Sequence, residues 1–194
     1  MLDTHCRKYI QPIIGYGAEF FIKCKLSANQ VTVLALILGV SSGVFSYMNM
    51  PFIALGVLWI SGYLDAVDGT IARRQGSTDF GTVMDITFDR IVEISIIIGL
   101  SLRHPELTAY FLFLACSIII TMTIFLTTGL MTSKKSEKSF YYQAGLAERT
   151  EGFLMFSLMI IFGTYLKIIV LVFTGMILFT AAQRFLEAKQ LLSK

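Results

Sequence analysis

Long apolar runs alternate with short polar breaks along this chain. Val31 to Met48 holds no charged residue at all. The breaks read as turns. Asn49-Met50-Pro51 is a tight turn, with Pro51 suited to a first helical turn. Gly76-Ser77-Thr78-Asp79 is a short loop whose Ser77 or Thr78 can cap the next helix, as Ser27 or Asn29 can before Val31. Arg103-His104-Pro105-Glu106 closes a third run, and Lys167 marks a short turn late in the chain. Together these signals predict six spans, at about 28–48, 51–75, 79–101, 107–131, 145–165 and 168–186. Each falls within the ~17–25 residues that cross a bilayer.

Residues 1–27 follow another pattern. Tyr9, Ile10, Ile13, Ile14, Ala18, Phe21 and Ile22 recur at roughly helical spacing beside Arg7, Lys8, Lys23 and Lys25. An amphipathic helix lying in the membrane interface fits, with a break or kink expected near Pro12. The fold class predicted is an all-α integral membrane protein: six transmembrane helices preceded by an N-terminal interfacial amphipathic helix, as one domain over 1–194.

Composition agrees. Apolar residues make up 55% of the chain and charged residues 15%, below the roughly 25% of an average soluble domain. No basic stripe is interleaved with aromatics, so nucleic-acid binding is not expected. Cys6, Cys24 and Cys116 lack metal-type spacing and read as packing residues. The polar opening MLDTHCRKY does not read as a signal peptide. His5 and His104 read as interfacial. The net charge of +3 matters less than its placement. Lys and Arg gather before span one, after span two, between spans four and five, and in the tail. The other side has only Arg103 and Lys167. That asymmetry predicts a cell-membrane protein with both termini in the cytoplasm.

Candidate chemistry sits in Leu64–Asp89. Five of the six aspartates lie there: Asp65, Asp68, Asp79, Asp85 and Asp89. Carboxylates beside lipid-compatible sequence are costly and read as functional. Asp65 and Asp68 are i, i+3 on one helix, and Asp85 and Asp89 are i, i+4 on the next, so each pair shares a face. Two antiparallel helices can bring the pairs together. Four converging carboxylates repel unless protonated or bound to cations. Oxygen ligands point to Mg2+, with Mn2+ as a substitute. Two ions ~3.5–4 Å apart would clamp a diphosphate. Gly69, Ala72 and Gly81 keep the helix surface low beside the carboxylates, and Arg73 suits phosphate oxygens. A purely structural ion network with Arg73, Arg74 and Arg90 would not need this spacing. Asp79 reads as a helix-start carboxylate.

The stretch resembles the signature of the CDP-alcohol phosphatidyltransferase family. It reads Asp65-Ala-Val-Asp68-Gly69-Thr-Ile-Ala72-Arg73, then Gly81-Thr-Val-Met-Asp85-Ile-Thr-Phe-Asp89. Eight fixed positions match, and the spacer from Arg73 to Gly81 holds seven residues, where eight is more usual. Leu26-Ser-Ala-Asn29-Gln-Val-Thr32 and the segment from Lys138 to Glu151 are also similar to members of this family. The resemblance implies transfer of a phosphatidyl group from a CDP-linked lipid, CDP-diacylglycerol, to a polar acceptor alcohol, releasing CMP. It implies metal binding by Asp65, Asp68 and Asp85, with Asp89 as ligand or base. It assigns the nucleotide and diphosphate to Gly69, Ala72, Arg73 and Gly81, and it implies a homodimer.

The acceptor is less legible. Lys134, Lys135, Lys138 and Arg149 are the cationic candidates, of which Lys135, Lys138 and Arg149 are taken as acceptor-binding. The lysines fit equally a solvated loop obeying the charge asymmetry. The rival function is a small cation transporter using the same aspartates, against which stand the wholly apolar outer halves of spans two and three.

Overall fold

The computed structural model describes residues 2–132, 146 and 149–193, with side chains from residue 11 onward. The described residues form seven α-helices, two single 3-10 turns and no strand. The helices are α1 (Leu2–Lys23), α2 (Ala28–Tyr47), α3 (Pro51–Gln75), α4 (Asp79–Arg103), α5 (Thr108–Met131), α6 (Arg149–Ile161) and α7 (Leu166–Leu192). Four stretches are long and apolar enough to cross a membrane: Ala28–Tyr47, Pro51–Gln75, Pro105–Met131 and Gly163–Leu192. The chain is a multi-pass membrane protein. The two other expected spans differ for physical reasons. α4 is as long as α3 but carries Asp79, Asp85, Asp89, Arg90 and Glu93 in its first 15 residues. α6 has only 13 described residues.

The chain divides into two compact units, Leu2–Pro105 and Glu106–Lys194. In the first, α2 is central. Ser27 caps it in a box with Gln30: the Ser27 side chain accepts from the Gln30 amide, and Gln30 Oε1 accepts from the Ser27 amide. Asn49 ends it in the left-handed region at φ 61°, where Met50 N–H donates to Phe45 O and Asn49 N–H to Ser46 O. That is a Schellman turn, and Asn tolerates its backbone better than most residues. α3 then doubles back along α2.

α3 and α4 both pack along α2 but hardly approach each other backbone to backbone. Two buried hydroxyls tie α2 to α3: Ser42 donates to Ala54 O at 2.9 Å, and Ser61 to Ala35 O at 2.7 Å. The α2–α4 contact uses glycines instead. A Cβ placed on Gly99 would lie 2.1 Å from Gly43 O, and one on Gly43 would lie 2.2 Å from Ser95 O. Only residues without side chains allow that approach.

α1 packs on α3. Ala18 joins Val31, Ala35, Leu64, Val67 and Ile71 in one apolar cluster. Tyr63 donates to Ile13 O at 3.2 Å, and Arg74 pairs with Glu19 at 3.5 Å. The helix runs unbroken through Pro12, so the expected break does not occur. The amide missing at Pro12 falls in the first half of α1, while the contacts with α3 hold the second half. Ile13, Tyr16 and Phe20 are exposed.

In the second unit α5 packs along α7. Phe111, Leu114, Ile118 and Phe125 are buried on α5, and Val170, Phe173 and Ile177 on α7. Thr121 donates to Ile177 O at 3.2 Å. Phe156 of α6 meets Phe173 edge to face, with centroids 5.2 Å apart. α7 runs to Leu192, six residues beyond its expected end.

Candidate metal centre

The carboxylates lie on the two helices that pack along α2. Asp65 and Asp68 sit on consecutive turns of α3, one turn after Ser61, whose hydrogen bond sets the α3 backbone against α2. Asp85 sits near the start of α4, whose first turn is ordered by Thr78. That hydroxyl accepts from Gly81 N–H at 3.0 Å, as expected of a capping residue. Oxygens of Asp65, Asp68 and Asp85 all lie within 4.8 Å of one another. Asp65 and Asp68 are buried at 8% and 4% exposure, and Asp85 is half-buried. The Oδ2 atoms of Asp65 and Asp68 accept no hydrogen bond, although both residues interact with other groups.

This trio fits a divalent cation. Two like charges 4 Å apart repel by about 4 kcal/mol at an effective dielectric near 20. Two buried carboxylates and a half-buried third at this distance therefore need either protons or a cation. Three hard oxygens from two helices are a donor set for Mg2+ or Mn2+. The described residues hold no other such group of three.

Asp89 is placed differently. It lies one turn beyond Asp85 and is not among the three converging oxygens. Its carboxylate is 3.9 Å from Arg90, which pairs at 2.8 Å with Glu93. Gly69 and Ala72 are half-buried, one and two turns along α3 from Asp65. Arg73 is exposed and donates to Thr70 Oγ1 at 2.8 Å; a Cβ on Gly69 would meet its guanidinium at 3.5 Å. The bare surface at Gly69 thus borders the Arg73 head. Gly81 has Asn29 Oδ1 beside it, 3.2 Å from where its Cβ would stand. Asp79 is exposed at the first turn of α4.

Arg149 is exposed at the start of α6. Lys134, Lys135 and Lys138 lie outside the described residues.

Three features escaped sequence reasoning. Asn29 reads from the sequence only as a cap, yet it borders Gly81. The capping box at Ser27 is the signal that places it in the first turn of α2. Arg90 and Glu93 form an ion pair within α4, which the i, i+3 spacing foretells. Arg184 reads as a tail charge but is buried, with its guanidinium 4.8 Å from the Phe125 ring centre. Its position inside the apolar face of α7 is the signal.

Comparison with known proteins follows the same line. The family model described as CDP-alcohol phosphatidyltransferase matches residues 25–185. The inner membrane protein YnjF of Escherichia coli (strain K12) is 31% identical over 169 residues, covering 81% of each chain. A phosphatidylinositol phosphate synthase of Corynebacterium glutamicum is 37% identical over 95 residues, 48% of this chain and 43% of that one. Among solved structures, the Mycobacterium tuberculosis phosphatidylinositol phosphate synthase with CDP-DAG bound superposes with a TM-score of 0.77. It is 21% identical, covering 92% of this chain and 94% of that one. The same synthase is also known in complex with manganese and citrate.

Proposed function

The chain belongs to the CDP-alcohol phosphatidyltransferase family and is a membrane enzyme of phospholipid synthesis; from that premise we propose what it transfers, to what, and with which residues. The donor is CDP-diacylglycerol and the acceptor a polar alcohol. The convergence of Asp65, Asp68 and Asp85 between two helices carries this reading. Those three residues hold divalent metal, probed first as Mg2+, with Asp89 completing the set or standing beside it. Asp65, Asp68 and Asp85 would hold the cation, which when bound would supply positive charge to offset that of the diphosphate.

The chain's own residues do the rest. Arg73 binds diphosphate oxygens, and its planar head suits two of them at once. Gly69, Ala72 and Gly81 leave the helix backbones bare, so the nucleotide approaches closely. Asp89 takes the proton from the acceptor hydroxyl as its oxygen attacks the phosphorus that bears the lipid. The bond to CMP breaks in the same displacement, and CMP leaves. A base near that hydroxyl is needed because a neutral alcohol is a weak nucleophile.

Arg149, with Lys135 and Lys138, would attract an acceptor that carries phosphate. Two relatives are named as phosphatidylinositol phosphate synthases, so inositol phosphate comes first in the acceptor panel. The site is proposed to face the cytoplasm, where CDP-lipid head groups and acceptor meet. α1 is proposed to lie in the interface, its exposed Ile13, Tyr16 and Phe20 toward lipid. The fold is taken as six spans and one functional domain, since the matched region crosses both compact units. A homodimer is proposed from family membership alone.

The test uses purified full-length protein, CDP-diacylglycerol, Mg2+ and a panel of polar alcohols, read as CMP release and lipid product. Chelation is expected to stop release, with Mg2+ or Mn2+ restoring it. Asp85→Asn is expected to abolish it in a protein that still inserts and folds. Full activity of that variant would remove the metal reading. Metal uptake into sealed vesicles without nucleotide would support the transporter instead.

A further inference from the structure

We infer that Gly39 of α2 is a positioning residue that sets the gap between the two metal-bearing helices, and with it the size of cation the site accepts. The inference rests on the metal reading above. Gly39 is where α2 touches both α3 and α4. A Cβ there would lie 2.7 Å from Ser61 Oγ on α3 and 2.4 and 2.9 Å from the two Val92 methyls on α4. Each distance is below any ordinary contact of a real Cβ. Ser61 is one helical turn before Asp65, and Val92 is one turn after Asp89.

Little else fixes that gap. α3 and α4 hardly approach each other backbone to backbone, so their spacing is inherited from how each seats on α2. On the α3 side the seat is rigid, because Ser61 is buried and donates to Ala35 O at 2.7 Å, one turn before Gly39. On the α4 side Val92 is buried, and Gly43 and Gly99 seat α4 against α2 with no room for a side chain between them. A methyl at Gly39 therefore wedges Ser61 and Val92 apart and carries the aspartates with them.

The magnitude decides whether this matters. The nearest Val92 methyl would be about 1 Å short of ordinary contact. Mg2+ requires oxygens at about 2.0–2.1 Å in a near-ideal octahedron, whereas Ca2+ accepts about 2.3–2.6 Å in flexible geometry. The two differ by less than the displacement that the wedge demands. A widened site should lose Mg2+ before it loses Ca2+. A purely structural role for Gly39 would weaken both alike.

The experiment is calorimetric titration of purified full-length protein with MgCl2 and, separately, CaCl2, without lipid substrate. Gly39→Ala is expected to weaken Mg2+ binding about 10-fold, the scale of change seen when the supports of metal ligands are altered. Ca2+ binding should fall less, so that the ratio of the two constants moves toward Ca2+. Adding Val92→Ala removes both clashing methyls and is expected to bring the ratio back toward that of the unaltered protein. Gly56→Ala, on an exposed part of α3 where a Cβ meets nothing within 4 Å, should leave both constants unchanged. Equal loss of both ions, no change in either, or no return with Val92→Ala would overturn the inference. If Gly39→Ala does not fold, Val92→Ile enlarges the same contact from α4 and is held to the same outcomes. Absence of Mg2+ binding by the unaltered protein would remove the metal reading itself, and this inference with it.

Discussion

The two compact units are held together by different means. In Leu2–Pro105, α3 and α4 close on the middle of α2 through residues with little or no side chain: Gly39, Gly43, Ser42, Ser61, Ser95 and Gly99. In Glu106–Lys194 they interlock through large rings and branched chains such as Phe111, Phe125, Phe156 and Phe173. Lipid is as apolar as leucine, so helices in a bilayer associate through fit and hydrogen bonds and gain little from expelling water. Small residues bring backbones close and fix their distance. Large ones fill space and can repack when a neighbour moves. The unit that must hold three carboxylate oxygens within 4.8 Å of one another is the one built on fixed distances. The unit that contains Arg149 and the buried Arg184 is the one built on adaptable packing.

The largest effect should come from within the first unit. Asp68→Ala is expected to lower CMP release by more than the about 10–100-fold that changes to metal supports cost. Asp79→Asn, on an exposed first turn, should stay within about twofold, since it removes only a helix-end charge. Equal losses in the two variants would show that charge near the site matters and its placement does not.

Next comes a pair that sets the units against each other. Phe173→Ala should cost about 3 kcal/mol, the low end for such a truncation because lipid lies outside the helices. Gly43→Ala should cost about 1–3 kcal/mol, as overpacking does. Thermal unfolding in detergent orders the two. Mg2+ titration should reverse that order, with Gly43→Ala weakening the metal and Phe173→Ala leaving it bound. If stability and metal affinity fall in parallel, the contrast between the units is wrong.

The smallest effects concern single hydroxyls. Ser61→Ala removes a buried hydrogen bond to Ala35 O and should cost about 1 kcal/mol. Thr121→Val removes the longer bond to Ile177 O and should cost about 0.6 kcal/mol, the average inside membranes. Thermal shifts of both variants check this, and only Ser61→Ala should also lower Mg2+ affinity.

Much of this was legible in the chain alone. Helix boundaries from Ala28 to Arg103 follow the breaks at Ser27, Asn49-Met50-Pro51 and Thr78 within one to three residues, because caps and turn residues act locally. The pairing of Asp65 with Asp68, and the proximity of Gly69, follow from helical spacing. Lys135 and Lys138 are read from the sequence as acceptor-binding, and they lie outside the described residues. The unbroken helix at Pro12 was not legible, since α1 is held by contacts with Tyr63, Val67 and Arg74, some 50 positions away.

By itself the sequence determined a membrane-embedded helical protein, its resemblance to the family, and two aspartate pairs at helical spacing. The first is written in periodicity and composition, the second in the resemblance of the Asp65–Asp89 stretch to a family signature, and the third in spacing along each helix. Only the tertiary structure decided that Asp85 joins Asp65 and Asp68 while Asp89 lies a turn apart beside Arg90, and that α2 spaces the two helices that carry them. Those are distances between residues far apart in the chain. They depend on which atoms meet across a helix interface, and on glycines whose meaning appears only when the neighbouring helix is in place.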